Sequence, residues 1–126
     1  MRGEGHLTKP EQYALVYNKG NSWVNNLIVM KALPNGLTLS RYGLSVSRRV
    51  GKAVTRNRVK RLFREILRLT PLQPGWDIIF IARPAVATAD YAQLRKSVNN
   101  LLFQAQLLTP VENTTSPESS MARSSR

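Results

Sequence analysis

Residues 48–68 read RRVGKAVTRNRVKRLFREILR. Nine of these 21 positions are Lys or Arg and only Glu65 is acidic, so the segment holds +8 of the chain's formal +12. Apolar residues recur through it at helical spacing. With Val59 at zero and about 100 degrees per residue, Leu62, Phe63, Ile66, Leu69 and Thr70 fall within about 80 degrees of it. Asn57, Arg61, Arg64 and Arg68 fall between about 140 and 200 degrees, on the opposite side. Lys60 and Arg58 flank them. The pattern predicts one helix with a dry face and a cationic ridge, part of a folded domain and not a loose basic tail. Solvated helices usually mix signs, so that side chains four apart attract. Here Arg61, Arg64 and Arg68 repel one another, and bound phosphates would offset that repulsion. Five of the six cationic side chains between Thr55 and Leu69 are Arg. A guanidinium grips phosphate through two parallel hydrogen bonds and stacks on exposed bases, which favours structured RNA. Asn57 can donate to and accept from a base edge or a ribose hydroxyl; capping the helix is its alternative role.

Outward from this helix the chain alternates helical and extended patterns. Pro10 suits a first helical turn, and 11–19 reads as a short helix stopped by Gly20. Tyr13, Val16 and Tyr17 share one side of it. Residues 21–26 read as a polar connection containing Trp23. Residues 27–33 are β-prone, and Pro34-Asn35-Gly36 signals a turn. Residues 37–47 read as the returning strand, with Tyr42, Leu44 and Val46 alternating with Gly43, Ser45 and Ser47. The pair is expected to form an antiparallel hairpin. Thr55 is the expected N-cap of the basic helix, which Pro71 and Pro74-Gly75 stop near Thr70. Residues 76–82 form a nearly continuous apolar strand, the pattern of burial on both faces. Thr88 or Asp90 caps a last helix to about Leu108, with Leu94, Val98, Leu101, Leu102 and Ala105 at helical spacing. These elements predict a small mixed sandwich, helices on a sheet.

Bulk properties bound the function. At 126 residues and 42% hydrophobic, the chain is expected to form one domain, 7–108, between a flexible N-terminus, 1–6, and a disordered Ser/Thr/Pro-rich tail, 109–126. A pI near 11.2 makes nucleic acid the expected partner. No apolar run approaches a membrane span and the first residues lack a signal-peptide stretch, so a cytoplasmic protein without a membrane partner is expected. There is no cysteine, hence no disulfide, thiol nucleophile or Cys-ligated zinc.

Residues 42–65, YGLSVSRRVGKAVTRNRVKRLFRE, closely resemble the protein subunit of bacterial ribonuclease P. Arg56-Asn57-Arg58 and the flanking Lys60-Arg61 match that family's RNA-binding helix, and the resemblance spans about 7–108. It implies an α+β fold, a small α-β-β-β-α-β-α sandwich resembling a domain also found in ribosomal proteins. Its strand–helix–strand crossover would be left-handed, against the usual rule. It implies removal of the 5′ leader from precursor tRNA, with the chemistry performed by the RNA subunit and magnesium held mainly by that RNA. The implied partners are ribonuclease P RNA and precursor tRNA, with no obligate protein partner. The resemblance assigns Arg48, Arg49, Lys52, Arg56, Asn57, Arg58, Lys60, Arg61, Arg64 and Arg68 to catalytic-RNA binding. It assigns Tyr13, Tyr17, Val29, Lys31, Ser47, Arg48 and Arg49 to the leader, in a cleft between the first helix and the sheet. Spacing alone favours core packing for the two tyrosines; the resemblance implies that they stack on leader bases. Lys31 departs from the aromatic residue of some relatives, and a phosphate contact is expected there. Lys60 and Arg64 would lie near the cleft mouth.

The expected domain offers no catalytic set of its own. Glu11, Glu65, Asp77 and Asp90 are scattered, and a two-metal nuclease needs converging carboxylates. His6 is the single histidine, too few for an acid–base pair of histidines. Gly51-Lys52 fails as a phosphate loop, since Ala53 follows the lysine. No catalytic or metal-ligating residue is therefore expected. The alternatives are a ribosomal or other structural RNA-binding protein and, more remotely, a DNA regulator, which would usually be a dimer.

Overall fold

The computed structural model describes residues 5–108, so the expected tail lies outside the described residues. A two-residue strand β1 (Gly5–His6) precedes helix α1 (Pro10–Lys19), strands β2 (Asn21–Val24), β3 (Ile28–Pro34) and β4 (Arg41–Ser45), helix α2 (Ala53–Arg68), strand β5 (Trp76–Ala82), a 3-10 turn (Pro84–Thr88) and helix α3 (Tyr91–Gln104). From α1 onward this is the α-β-β-β-α-β-α order. Strands lie in the order β1-β4-β5-β3-β2. Among the described residues no helix is long and apolar enough to cross a membrane.

The expected hairpin of β3 with β4 does not form. β5 lies between them, antiparallel to β3 and parallel to β4. The reason is burial. Ile78, Ile79 and Phe80 are fully buried, so residues on both faces of β5 need cover, and only a central position supplies it. The turn signal at Asn35 is used differently. Its side chain accepts from the Leu37 N–H and donates to the Leu39 carbonyl and to Asp77, tying the loop to β5.

Three further expectations are corrected. Residues 21–24 are a strand, β2, whose Trp23 packs on the main core. An edge strand needs only one apolar row, which its polar composition hid. Gly5 and His6 are not a flexible lead: they pair in parallel with Arg41 and Tyr42, and the His6 ring shares a 3.0 Å hydrogen bond with the Tyr42 hydroxyl. α3 ends at Gln104, not Leu108; Gln106 takes a positive φ of 61° and turns the chain back, so that Leu108 bridges Leu72. Of its two candidate caps, Asp90 is used, accepting from the Gln93 N–H at 2.8 Å.

The sheet has two different faces. Ile28, Met30, Ala32, Tyr42, Ile78 and Phe80 point into the main core beneath α2 and α3. The alternate residues face the other way, where α1 covers only part of the surface with a small cluster of Leu7, Val16 and Ile79. α1 comes close to the sheet because Gly20 ends it: a Cβ there would lie 2.6 Å from the Val16 carbonyl oxygen and 2.9 Å from that of Ala32.

Candidate nucleic-acid interface

α2 begins two residues before the expected cap, with Lys52 at the N-cap and Thr55 inside the first turn. Val59, Phe63, Ile66 and Leu67 are buried. Leu69, expected on that face, is 66% exposed, and Leu67 takes its place. Both sit about 80 degrees from Val59, on opposite sides, and the sheet and α3 cover only one. Asn57, Arg61, Arg64 and Arg68 are exposed along the other side. Asn57 therefore does not cap the helix. The N-terminus of α2 has no side-chain cap and no acidic residue in its first turn. Arg48, Arg49 and Lys52 are exposed just ahead of it, on a turn anchored by buried Val50 and closed by Val50 N–H to Ser47 O and Gly51 N–H to Arg48 O bonds. Cations at the positive end of a helix dipole are unfavourable alone, and a phosphate there offsets them.

Not every arginine of the motif points outward. Arg56 donates to the Gly51 carbonyl at 3.2 Å, bracing the turn into the helix. Arg58 reaches across to the 3-10 turn, donating to the Ala87 carbonyl at 2.8 Å and the Ala89 carbonyl at 3.3 Å. It joins α2 to the start of α3.

The second surface is the open sheet face. The register sets Val24, Val29, Ile81 and Ser45 in one row across four strands, and Ser22, Lys31, Ile79 and Gly43 in the next. Lys31 donates to the Ser22 hydroxyl at 2.7 Å, which holds the ammonium at the surface. Val29 is half-buried, while Val24 and Ser47 are exposed. α1 borders this face. Tyr17 is 40% exposed, and Tyr13 is half-buried with its hydroxyl 3.4 Å from the Leu7 carbonyl. Burial, then the neighbouring Tyr17, pushes the Tyr13 phenol above its ordinary pKa; a hydrogen bond with the Leu44 backbone opposes the rise. Arg83 stands just past β5, exposed, with one guanidinium nitrogen on the Asn25 carbonyl at 2.8 Å. Sequence reasoning missed it as a candidate. Its only signal was a cation directly after the apolar strand.

The two surfaces meet. Lys60 and Arg64 from α2, His6 and Leu7 from the β1 end, Tyr13 from α1, and Tyr42, Gly43 and Leu44 from β4 enclose a cavity of about 190 Å³. The cationic flank of α2 and the tyrosine side of α1 are thus two walls of one pocket. Among the described residues no three His, Asp or Glu side chains are grouped so as to hold a metal ion.

Residues 1–106 match the family model described as Ribonuclease P. The chain belongs to the ribonuclease P protein family. It is 47% identical over 116 residues to the ribonuclease P protein component of Dehalococcoides mccartyi strain CBDB1, covering 92% of this chain and 97% of that protein. The family member of Roseiflexus sp. strain RS-1 is 43% identical over 111 residues, 86% of this chain and 91% of its own length. Two solved structures share the fold. A Staphylococcus aureus RNase P protein mutant with defective mRNA degradation activity superposes with a TM-score of 0.77 at 31% identity, over 82% of this chain and 89% of that one. The RNase P protein from Thermotoga maritima gives a TM-score of 0.70 at 33% identity, over 79% and 96%.

Proposed function

We propose that the chain acts as the protein component of ribonuclease P by holding two RNAs at once. The α2 ridge binds the catalytic RNA and the open sheet face binds the 5′ leader of precursor tRNA. The observation that carries this reading is the junction between the surfaces, where Lys60 and Arg64 stand beside Tyr13 in one pocket. Arg61, Arg64, Arg68 and Asn57, with Arg48, Arg49 and Lys52 at the uncapped helix start, meet the catalytic RNA. Their charges neutralise phosphates and release counterions. Tyr13, Tyr17, Val29 and Ser47 line the leader path, with Lys31 on a leader phosphate. Unpaired bases stack on exposed aromatic rings with little regard to sequence, which suits a leader of variable composition. Arg83 joins this path as a further phosphate contact. The chain supplies charge and position; the hydrolytic chemistry and the magnesium belong to the RNA, and the assembly works in the cytoplasm.

Reconstitution tests the proposal. Precursor tRNA cleavage by the cognate catalytic RNA at low magnesium should rise on adding the chain. Unchanged cleavage with a folded chain would favour a purely structural RNA-binding role.

Two arginines of this helix are expected to behave differently. Arg61→Ala should shallow the log-affinity versus log-salt slope for the catalytic RNA by about 0.7–0.9 and change stability by no more than about 0.5 kcal/mol. Arg58→Ala should do the reverse, lowering stability by about 1–3 kcal/mol through two lost charge-assisted hydrogen bonds. Its salt slope should stay near the parent's. Salt titrations and urea melts of both variants check this. A flattened slope with unchanged stability for Arg58→Ala would return that residue to the RNA surface.

A further inference from the structure

Gly43 has no conformational reason to be glycine. It lies inside β4, in register with Ile79 of β5, and is not among the glycines with positive φ. A glycine inside a strand weakens it, because it loses more backbone freedom on folding and packs no side chain. Glycine there calls for another cause, and the close approach of Tyr13 provides one. A Cβ on Gly43 would lie 2.5 Å from the Tyr13 hydroxyl oxygen, 2.7 Å from Cζ and 2.8 Å from Cε2. All three distances are well inside the separation of about 3.5–4.0 Å at which carbon atoms rest. The phenol end of Tyr13 therefore occupies the volume that any other residue at position 43 would fill. The same hydroxyl donates to the Leu7 carbonyl at 3.4 Å.

We infer that Gly43 is a positioning residue for the leader: its missing side chain is the socket that seats Tyr13 against the sheet. This rests on the reading of Tyr13 as a leader-stacking residue and adds what sets the ring's height. The neighbouring groups make the height matter. Lys60 and Arg64 line the same cavity as Tyr13 and Gly43. A base stacked on the seated ring has its phosphates within the field of both cations. Raising the phenol end by about 1 Å, the shift an added methyl demands, tilts the ring away from that arrangement. Because the obstructing atoms end a side chain and are not backbone, the ring can yield while the fold persists.

A double-mutant cycle on the reconstituted holoenzyme tests the socket. The quantity read is the ratio of precursor to mature tRNA affinity, with thermal stability followed for each variant. Tyr13→Ala should reduce the ratio by about five- to 150-fold, the span reported by one lost stack. Gly43→Ala alone should reduce it at least threefold. In the Tyr13→Ala background Gly43→Ala should add no more than twofold, since nothing remains to displace. A Gly43→Ala chain that fails to fold but is rescued by Tyr13→Ala supports the socket equally. Independent, multiplying effects would overturn the inference, as would equal losses for precursor and mature tRNA. The outcomes separate the two claims: no effect of Tyr13→Ala on the ratio defeats the leader reading itself. A Tyr13→Ala loss with a silent Gly43→Ala defeats only the socket.

Discussion

Removing both rings, by Tyr13→Ala and Tyr17→Ala together, is expected to weaken precursor tRNA binding to the holoenzyme by about 1–3 kcal/mol per lost stack, and mature tRNA binding hardly at all. Mature tRNA has no leader, so it cannot report on the leader path. Tyr17→Phe should be mild, because stacking needs the ring and not the hydroxyl. Tyr13→Phe should also leave the base platform in place, although it loses the hydrogen bond to Leu7. Equilibrium binding of both tRNAs, with folding checked by thermal melts, decides the matter. Equal losses for precursor and mature tRNA would return the tyrosines to a packing role.

The second large effect concerns stability. Asp77 is a buried carboxylate, 4% exposed, facing outward from β5 on the α1 side of the sheet. Arg41 of β4 grips it bidentately, with Nε at 2.8 Å and Nη2 at 2.7 Å, and Asn35 donates to the same Oδ1 at 2.9 Å. Asp77 acts as Arg41's hydrogen-bonding partner, and that bond raises the Arg41 pKa. Asp77→Asn leaves a half-buried guanidinium without its counter-charge. Breaking such a pair from one side should cost about 2–4 kcal/mol. It should nonetheless leave single-turnover cleavage by the folded holoenzyme nearly unchanged. Urea melts and single-turnover assays check the two halves separately. A cleavage loss above about a hundredfold, the scale of a missing general acid or base, would reveal protein chemistry.

Much of α2 was legible because a helix repeats. Charge and burial follow the same angle along it, so Val59, Phe63 and Ile66 on one side and Arg61 and Arg64 on the other could be read from spacing. The reading failed at the stripe's edges, where Leu67 and Leu69 are equivalent by angle and only the neighbouring elements choose between them. Strand pairing was less legible. Nothing within 27–47 says that another strand will separate its two halves; that depends on a burial requirement carried by Ile78–Phe80, more than thirty residues later. The same limit hid the roles of Arg58 and of the Arg41–Asp77 pair, since each partner lies far along the chain. At the site, the common face of Tyr13 and Tyr17 followed from spacing. That Tyr13 would sit over Gly43 did not, because the contact joins two elements that share no local pattern.

The central position of β5 also has a consequence in time. Translation delivers α1, β2, β3, β4 and the whole of α2 before the strand that joins β3 to β4 exists. A nascent chain that has emerged only as far as Arg68 carries the complete cationic ridge, yet lacks the strand at the centre of the sheet. Its apolar face at Val59, Phe63 and Ile66 waits uncovered until Trp76–Ala82 and α3 leave the ribosome. Pairings of this kind close long loops before they are rewarded, and they fold slowly. The domain is therefore expected to fold as a unit after its last helix is made, and not progressively from its N-terminus.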